Sequence, residues 1–302
     1  MPVSDPRDLI VDTLLTQVAI AYRPEGFIGT QILKPVPVKM DSGKVAKFGK
    51  DAFRLDNFAR GPGSRAFRVD WSLTPLSYSC TEYAVEIAVD DQLVRNAQSP
   101  VDPFTAATQI LVDMLTLDQE RRILTAITSD PSVPSSSPSV KWNQPNSAPL
   151  SDLRAAIQAV QRNIGRRPTT VAMSRQVWEV LLDHPQITDR VKYTTRDITA
   201  DVIARLLDLR EVLIGDADRN TAPEGRPDDL QFIWGDTVVV AFVPESPGLN
   251  VPAFGYCFTS VPLTTERYRD EPSSSSVVRV RHATAEVLTA PDAGYLLTDV
   301  LA

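Results

Sequence analysis

The stretch from residue 22 to residue 90 constrains this chain more than any other, because it is long, polar and short of side chains to bury. Between Lys39 and Asp70 it reads KMDSGKVAKFGKDAFRLDNFARGPGSRAFRVD, with eight Lys/Arg and four Asp among 32 residues around a Gly61-Pro62-Gly63 tip. That segment is net +4 in a chain of net −7, so the remainder carries −11. Alternating runs from Ala46 to Phe53 and from Ala66 to Leu73 suit a two-stranded hairpin, a unit that is marginal alone in water. The hairpin must therefore lie on something else. A plain surface loop is the other reading, but structureless connections beyond roughly 12 to 15 residues are uncommon unless functional or disordered.

The chain has 302 residues, 43% hydrophobic and 23% charged, enough to bury one large core or two modest ones. No run of about 18 apolar residues occurs, and MPVSDPRDLI lacks the basic start and apolar middle of a signal peptide, so neither a membrane span nor export is expected. Cys80 and Cys257 stand far apart, offer no metal spacing or disulfide framework, and read as free core thiols in a reducing cytoplasm. The acidic balance argues against a nucleic-acid groove, which needs clustered Lys/Arg on its binding face. Phe48, Phe53, Phe58 and Phe67, interleaved with the hairpin's charges, would suit stacking on single-stranded bases, yet an acidic body repels nucleic acid.

Along the chain, Asp8 to Ala21 carries Leu9, Ile10, Leu14 and Val18 at helical spacing, and RPEGFIGTQILKPVPVK then runs extended through Pro24, Pro35 and Pro37 as an arm. Asp102 as N-cap and Pro103 at the first position open the strongest helix, predicted to reach Thr128. Phe104, Ala107, Leu111, Met114, Ile123 and Ile127 mark its apolar stripe, interrupted by the charged run Asp118 to Arg122. Residues 129–149 hold seven Ser and five Pro and read as a flexible boundary. Beyond it, Ser151 is expected to cap a helix bearing Leu153, Ile157, Val160 and Ile164 and closed by Gly165. Thr169 to Met173 reads as a strand, Ser174 as the cap before VWEVLLDHP, Thr199 as the start of another helix and Glu211 to Ile214 as a strand. A loop from Asp216 to Asp229 follows, and Phe232 to Val243 reads as a hairpin turning at Gly235-Asp236. Ser276 to Thr289 alternates, with Val278 and Val280 on one face and Arg279 and Arg281 on the other, before Pro291-Asp292-Ala293-Gly294 turns into a last strand, YLLTDVL.

The search for catalytic chemistry is negative. GxGxxG after a strand, GxxxxGK[ST], GxSxG and HExxH are all missing. His184 sits at a helix end, where imidazole can bond a free carbonyl, and His282 lies in an alternating strand; both read as structural. The pairs Asp90-Asp91 and Asp228-Asp229 are weak cation candidates, because hard cations need converging oxygens and adjacent residues point apart. No catalytic, cofactor-binding or metal residue is assigned, no cofactor is expected, and an enzyme is the weaker class.

The order of the segments carries a resemblance. YRPEGFIGTQILKPVPV, the basic hairpin, the long helix, an α/β segment with LLDHPQITDRVKYT, then FIWGDTVVVAFVPESPG and APDAGYLLTDVL resemble, over nearly the whole chain, the major capsid proteins of tailed bacteriophages. The resemblance implies an α+β, Hong Kong 97-type capsid fold. Its parts would be an N-terminal arm at 1–38, an extended β-hairpin loop at 39–88, a peripheral domain with a spine helix at 89–150, an axial α/β domain at 151–262 and closing strands of the peripheral domain at 263–302. It implies a structural protein that assembles with other copies of itself into pentamers and hexamers of an icosahedral head shell, enclosing double-stranded DNA without a specific binding site. Such a protein belongs to the virion and is assembled in the host cytoplasm, with a portal, room for a decoration protein, and no membrane. An encapsulin-like compartment around a protein cargo is the alternative within the fold, and a monomeric decoration or tail component is a third reading.

Two departures from the family pattern matter. Some members join a loop lysine to an asparagine near the chain end; Lys44, Lys47 and Lys50 supply amines, but no Asn follows Asn250, so such cross-links are not expected. Members with a fused scaffold carry a long charged helical segment before the arm, whereas here the arm begins almost at Met1; either a separate scaffolding protein assists assembly or a leader was cut off, and an initiating Met1 favours the first. In the family arrangement the extended loop crosses the adjacent subunit's peripheral domain. Asp90 to Asp130 is net −4, so Lys44, Lys47, Lys50, Arg54, Arg60 and Arg65 are expected to meet Asp113, Asp118 and Glu120 of a neighbour. Asp216, Asp218, Glu224, Asp228 and Asp229 are expected to crowd around the five-fold and six-fold axes.

Overall fold

The computed structural model describes residues 10–22, 26–47, 74–97, 102–191, 199–223, 225–249 and 251–302. The tip of the basic hairpin and residues 48–73 lie outside them. Ile10, expected in the first helix, lies instead in β1 (Ile10–Val11) opposite Arg267. Asp12 accepts the amides of Leu14 and Leu15 at 3.1 and 3.0 Å and so starts α1 at Thr13–Ala21. Leu15 and Ala19 face inward, against the expected Leu14 and Val18 stripe, while Leu14 is 67% exposed.

The arm is not bare of buried side chains. α2 (Gly29–Ile32) and β2 (Lys34–Pro37) bring in Ile28, Ile32, Leu33 and Val36, all buried, at roughly 1.5 to 3 kcal/mol each. The expectation of a segment short of side chains to bury fails here because their partners, among them Ile123, Phe254 and Phe258, are far along the chain. β3 (Ser42–Lys47) and β4 (Thr74–Ser79) pair antiparallel and form the base of the basic hairpin. Residues 81–88, read as part of the loop, belong to β5 (Thr81–Asp90), which pairs along its length with β13 (Ser275–Val287).

α3 (Asp91–Asn96) leads on to α4 (Pro103–Ser129), where Asp102 accepts the amides of Phe104 and Thr105 and Pro103 takes the first position. Residues 129–149 are not a flexible boundary. Val133 and Trp142 are buried, β6 (Ser135–Ser136) pairs with β14 (Gly294–Leu297), and Trp142 Nε1 donates to Asp152 at 2.9 Å. Seven Ser and five Pro hide these anchors when only composition is read. α5 (Pro149–Ile164) starts before Ser151, which therefore does not cap it, and ends at Gly165 in the left-handed region, φ 65°.

β7 (Thr170–Ser174) runs into α6 (Arg175–Asp183) through the Ser174 cap, followed by α7 (Pro185–Val191), α8 (Ala200–Leu207) and β8 (Glu211–Gly215). Phe232 to Val243 is not a hairpin. β10 (Leu230–Phe232) turns back on β9 (Asp218–Asn220), inside what reads as a loop, whereas β11 (Val238–Ala241) joins β7 and β14. Four consecutive buried residues in β11 mark a strand covered on both faces, which a free ribbon cannot hold.

β12 (Tyr256–Asp270) and β13 centre a five-stranded sheet ordered β1-β12-β13-β5, with β2 beside the far end of β12. The alternation of β13 is as read: Val278 and Val280 are buried, while Arg279 pairs with Glu86, and Arg281 with Glu82 and Glu266. The second sheet is ordered β6-β14-β11-β7-β8, so β14 does not close the first sheet as the sequence suggests. Leu111 and Leu115 of α4 pack with Val278 and Val280, while Ile123 and Ile127 pack with the arm, Val239 and Leu296. One helix is thus the shared wall of two cores.

Candidate functional site

The basic hairpin is rooted, not loose. Val45, Leu76 and Tyr78 pack on Tyr256 and Phe258, with the rings of Tyr78 and Phe258 4.8 Å apart. Gly43 lies opposite Tyr78, and a Cβ there would come within 2.7 Å of the phenol oxygen. Lys44 is exposed on β3 and Lys47 ends that strand, while Lys50, Arg54, Arg60 and Arg65 fall outside the described residues.

The acids read as their partners are largely engaged within the chain. Tyr22 donates to Asp113 Oδ2 at 3.2 Å. Asp118 accepts from Arg121 at 2.7 Å and Arg122 at 2.9 Å. Partial burial opposes ionisation of Asp118, but the two guanidiniums prevail and hold its carboxyl below the usual range. Glu120 cannot meet a neighbour at all. It is 1% exposed and accepts from the amides of Ile28 at 2.9 Å and Gly29 at 2.8 Å and from Trp234 Nε1 at 2.7 Å. α2 has no side-chain cap of its own, so this carboxylate from α4 satisfies its first amides. Burial pushes the Glu120 carboxyl up, and the three donors pull against that shift. At Gly29 a Cβ would lie 2.6 Å from Glu120 Oε2, so the close approach requires glycine. Glu120 lies three residues before Ile123 and seven before Ile127, within the buried row. That spacing was the available signal, masked by reading Asp118 to Arg122 as a single charged interruption.

Across the helix, Arg122 reaches the first sheet. It bonds Glu286 at 2.5 Å, approaches His282 Nε2 at 3.4 Å and lies over the Tyr83 ring at 3.6 Å. Burial first, then the Arg122 charge, push His282 down to about 4. Burial, with Glu286 nearby, pushes the Cys257 thiol up to about 12. His184 also differs from its expected contact: Nδ1 accepts from the Gln186 amide at 3.2 Å and Nε2 meets Ser147 Oγ at 3.0 Å, with no carbonyl involved.

The acidic segment 216–229 splits in two. Asp216 is clamped by Arg175 at 2.6 and 2.7 Å. Asp228 accepts from Asn220 and Asp229 from Thr221, each at 2.7 Å, while Glu224 lies outside the described residues. Asp218 is exposed on β9 with no side-chain partner among the described residues. Asp90 caps α3 and Asp91 turns to Arg269, so that pair points apart. Among the described residues no three His, Cys, Asp or Glu gather in a way that could hold a metal ion, and no helix is long and apolar enough to cross a membrane.

Paired strands β3 and β4 rooted on the first sheet, a helix walling two cores and two five-stranded sheets make up the architecture on which the chain can be set beside known proteins. Residues 75–297 match the sequence profile of the phage capsid protein family, and the chain belongs to that family. It is similar to the major capsid protein of Burkholderia phage BcepMu, 26% identical over 303 residues that cover 96% of this chain and 97% of that protein. A crystal structure of a phage-related protein from Bordetella bronchiseptica superposes with a TM-score of 0.78 at 28% identity, over 97% and 98% of the two chains. The fold alone is shared with the capsid of cyanophage P-SCSP1u (TM-score 0.62, 9% identity, 92% and 89% covered) and the SrpI encapsulin of Synechococcus elongatus (0.55, 13%, 96% and 96%). The fold is the α+β, Hong Kong 97-type capsid fold.

Proposed function

We propose that this chain is a major capsid protein whose copies assemble as pentamers and hexamers into an icosahedral head shell around double-stranded DNA. The observation that carries the reading is the family match over residues 75–297, which takes in the long helix, the whole second sheet and the three long strands of the first. The basic ribbon supports it: beyond its Val45, Leu76 and Tyr78 anchor, Lys44, Pro75 and Ser77 form an exposed face that a neighbouring copy can cover. Repeated head-to-tail contacts of this kind close rings and tile shells. The role is structural, with no turnover.

The strand pairings suggest revised parts. The extended loop would be 39–80, the peripheral domain β5 through α4 together with β12 and β13, and the axial domain 130–255 together with 289–302. Lys44 and Lys47 face Asp113 and Asp118 of a neighbour, joined by Lys50, Arg54, Arg60 and Arg65; Glu120 is withdrawn from this set. Asp218, Glu224, Asp228 and Asp229 gather at the capsomer axes; Asp216, clamped by Arg175, is withdrawn from this set. A separate scaffolding protein, a portal and a decoration protein complete the assembly in the host cytoplasm. The encapsulin-like alternative has only the shared fold behind it.

Negative-stain imaging of the purified protein over a range of salt tests the reading. Shells or rings are expected, and Lys44→Glu with Lys47→Glu should abolish them while circular dichroism stays unchanged. A chain that remains monomeric under every condition, scaffold included, would overturn it.

A further inference from the structure

An open strand edge is a template for another chain, and proteins close such edges by keeping them short, placing proline on them or covering them. Most outer edges of the two five-stranded sheets are closed in one of these ways. β1 and β6 have two residues each. In β2 the Val38 amide bonds Thr259 O, and that phase turns Pro35 and Pro37, which lack an N–H, away from β12. β8 is met by the arm, with Asp216 donating to Gly26 O at 3.0 Å. β5 has none of these devices, and it runs for ten residues, roughly 30 Å. The bond from the Asp91 amide to Ser274 O fixes its phase: odd-numbered residues bond β13, so Glu82, Ala84, Glu86 and Ala88 direct their N–H and C=O groups outward. Among the described residues none of these four backbone units has a partner. Their side chains are exposed on one face, where Arg281 and Arg279 already meet the two acids, while Tyr83, Val85 and Ile87 are half-buried on the other, with α4.

We infer that the β5 edge takes a strand from a second copy of this chain, the outer strand of its basic ribbon, and that backbone hydrogen bonds hold the two together. The ribbon carries the matching edge. The Cys80 amide bonds Asp41 O, so Ser42 and Lys44 turn their backbone groups away from β4, without a partner there among the described residues. Within one chain the two edges stay apart: among the described strands β3 pairs with β4 alone and β5 with β13 alone. Like edges match poorly, since β5 against β5 crowds Glu82, Glu86 and Asp90 among their own copies, and β3 against β3 does the same to Lys44. Unlike edges set a basic strand beside an acidic one. The surface is also continuous with the one that the shell reading gives to a neighbour, because Arg122 pairs with Asp118 on α4 and lies over the Tyr83 ring of β5. The inference rests on that reading and adds which strand is joined and by which bonds. One edge taking the other, copy after copy, is a head-to-tail contact, the kind that closes rings.

The test follows single amides of the full chain, as free subunits and as assembled particles, by hydrogen exchange with residue-level fragmentation. Val85 and Ile87 should be protected in both states. Ala84, Glu86 and Ala88 should exchange freely in the subunit and at least about tenfold more slowly in particles, together with Ser42 and Lys44. Ala84→Pro with Ala88→Pro removes two outward N–H groups and no bond to β13, at positions where an edge strand tolerates proline. The circular dichroism of the subunit should stay unchanged and particles should no longer form; if the variant does not fold, exchange in the parent chain decides alone. Particles whose β5 amides stay fast, or that form normally from the proline variant, overturn the pairing and leave the shell reading standing. Slow β5 amides beside fast Ser42 and Lys44 give the edge to a different strand and overturn it too. A parent chain that never assembles, scaffold included, overturns the shell reading and the pairing with it.

Discussion

Glu120 and Arg122 lie two residues apart on α4, point to opposite sides, and keep a buried charge in different ways. Among the described residues Glu120 has no cation beside it; two backbone amides and an indole hold it, and they belong to the arm and to Trp234. Arg122 is held by other charges, with Asp118 and Glu286 as ion pairs and the Tyr83 ring beneath it. The first arrangement ties distant segments to one point on the helix. The second depends on every member staying charged, because losing one leaves the others desolvated and uncompensated. A charge pinned by dipoles should thus be cheaper to lose than a charge pinned by charges.

The largest expected effect follows from that contrast. Arg122→Met should remove about 3 to 5 kcal/mol, since Glu286 and Asp118 lose their shared counter-ion in a mostly buried site. Urea unfolding followed by circular dichroism measures it. Adding Glu286→Met should recover part of the loss, because the stranded anion goes with it. A single-variant loss below about 1 kcal/mol would break the comparison, placing the network in the class of surface ion pairs.

Next in size is a pH effect of the same network. Burial and the Arg122 charge hold His282 down to about 4 in the folded chain, against 6.5 for a free imidazole. The unfolded chain therefore takes up the proton first, so this contribution is fully present above about pH 6.5 and is lost as the pH falls toward 4. The loss amounts to about 3 kcal/mol at most. Arg122 and Asp118 from α4, Tyr83 from β5 and Glu286 on its own strand are the charged and titratable groups around the ring. Glu120 contributes with the opposite sign, since its raised pKa gives stability present at low pH and lost as the pH rises. The test is accordingly a difference: His282→Gln should flatten the profile between pH 6.5 and 4 relative to the parent chain. An unchanged slope removes His282 from the account.

On the other side of the helix, Glu120→Gln should cost about 1 to 3 kcal/mol, because the new amide group faces N–H donors that it cannot satisfy. Amide hydrogen exchange separates this from general loosening. Ile28 and Gly29 should exchange faster while the β13 amides keep their protection. Uniform acceleration would mean that Glu120 supports the core at large rather than the arm.

What the sequence made legible, and what it hid, follows from the same physics. The α4 cap, the Ser174 cap, the Gly165 terminus and the two faces of β13 are local patterns, readable from a few neighbours. The buried arm was not readable, because Ile28, Ile32 and Leu33 gain their partners only when the chain returns from far away. The Phe232 to Val243 segment misled in a related way: its turn at Gly235 is real, but the strands on either side pair with different sheets. Of the candidate contacts, exposure at Lys44 and Asp218 was legible from polarity, whereas burial of Glu120 is revealed only by continuing the apolar row through it.

The smallest effect concerns the two neighbouring acids of the 216–232 segment. Asp216 and Arg175 form a two-pronged pair with each side chain about two-fifths exposed, at 40% and 39%, so Asp216→Asn should cost only about 0 to 1 kcal/mol in the isolated subunit. Asp218 has no partner to lose among the described residues, and Asp218→Asn should leave subunit melting unchanged. In assembled particles the proposed placement reverses the order. Copies of Asp218 brought together repel one another and are relieved by salt, so Asp218→Asn with Asp228→Asn should reduce the salt dependence of particle stability, while Asp216→Asn should not. Particle melting at low and high salt, read beside subunit melting, decides it. If all three variants alter particles and subunits alike, the acids of this ribbon act within the chain and not between copies.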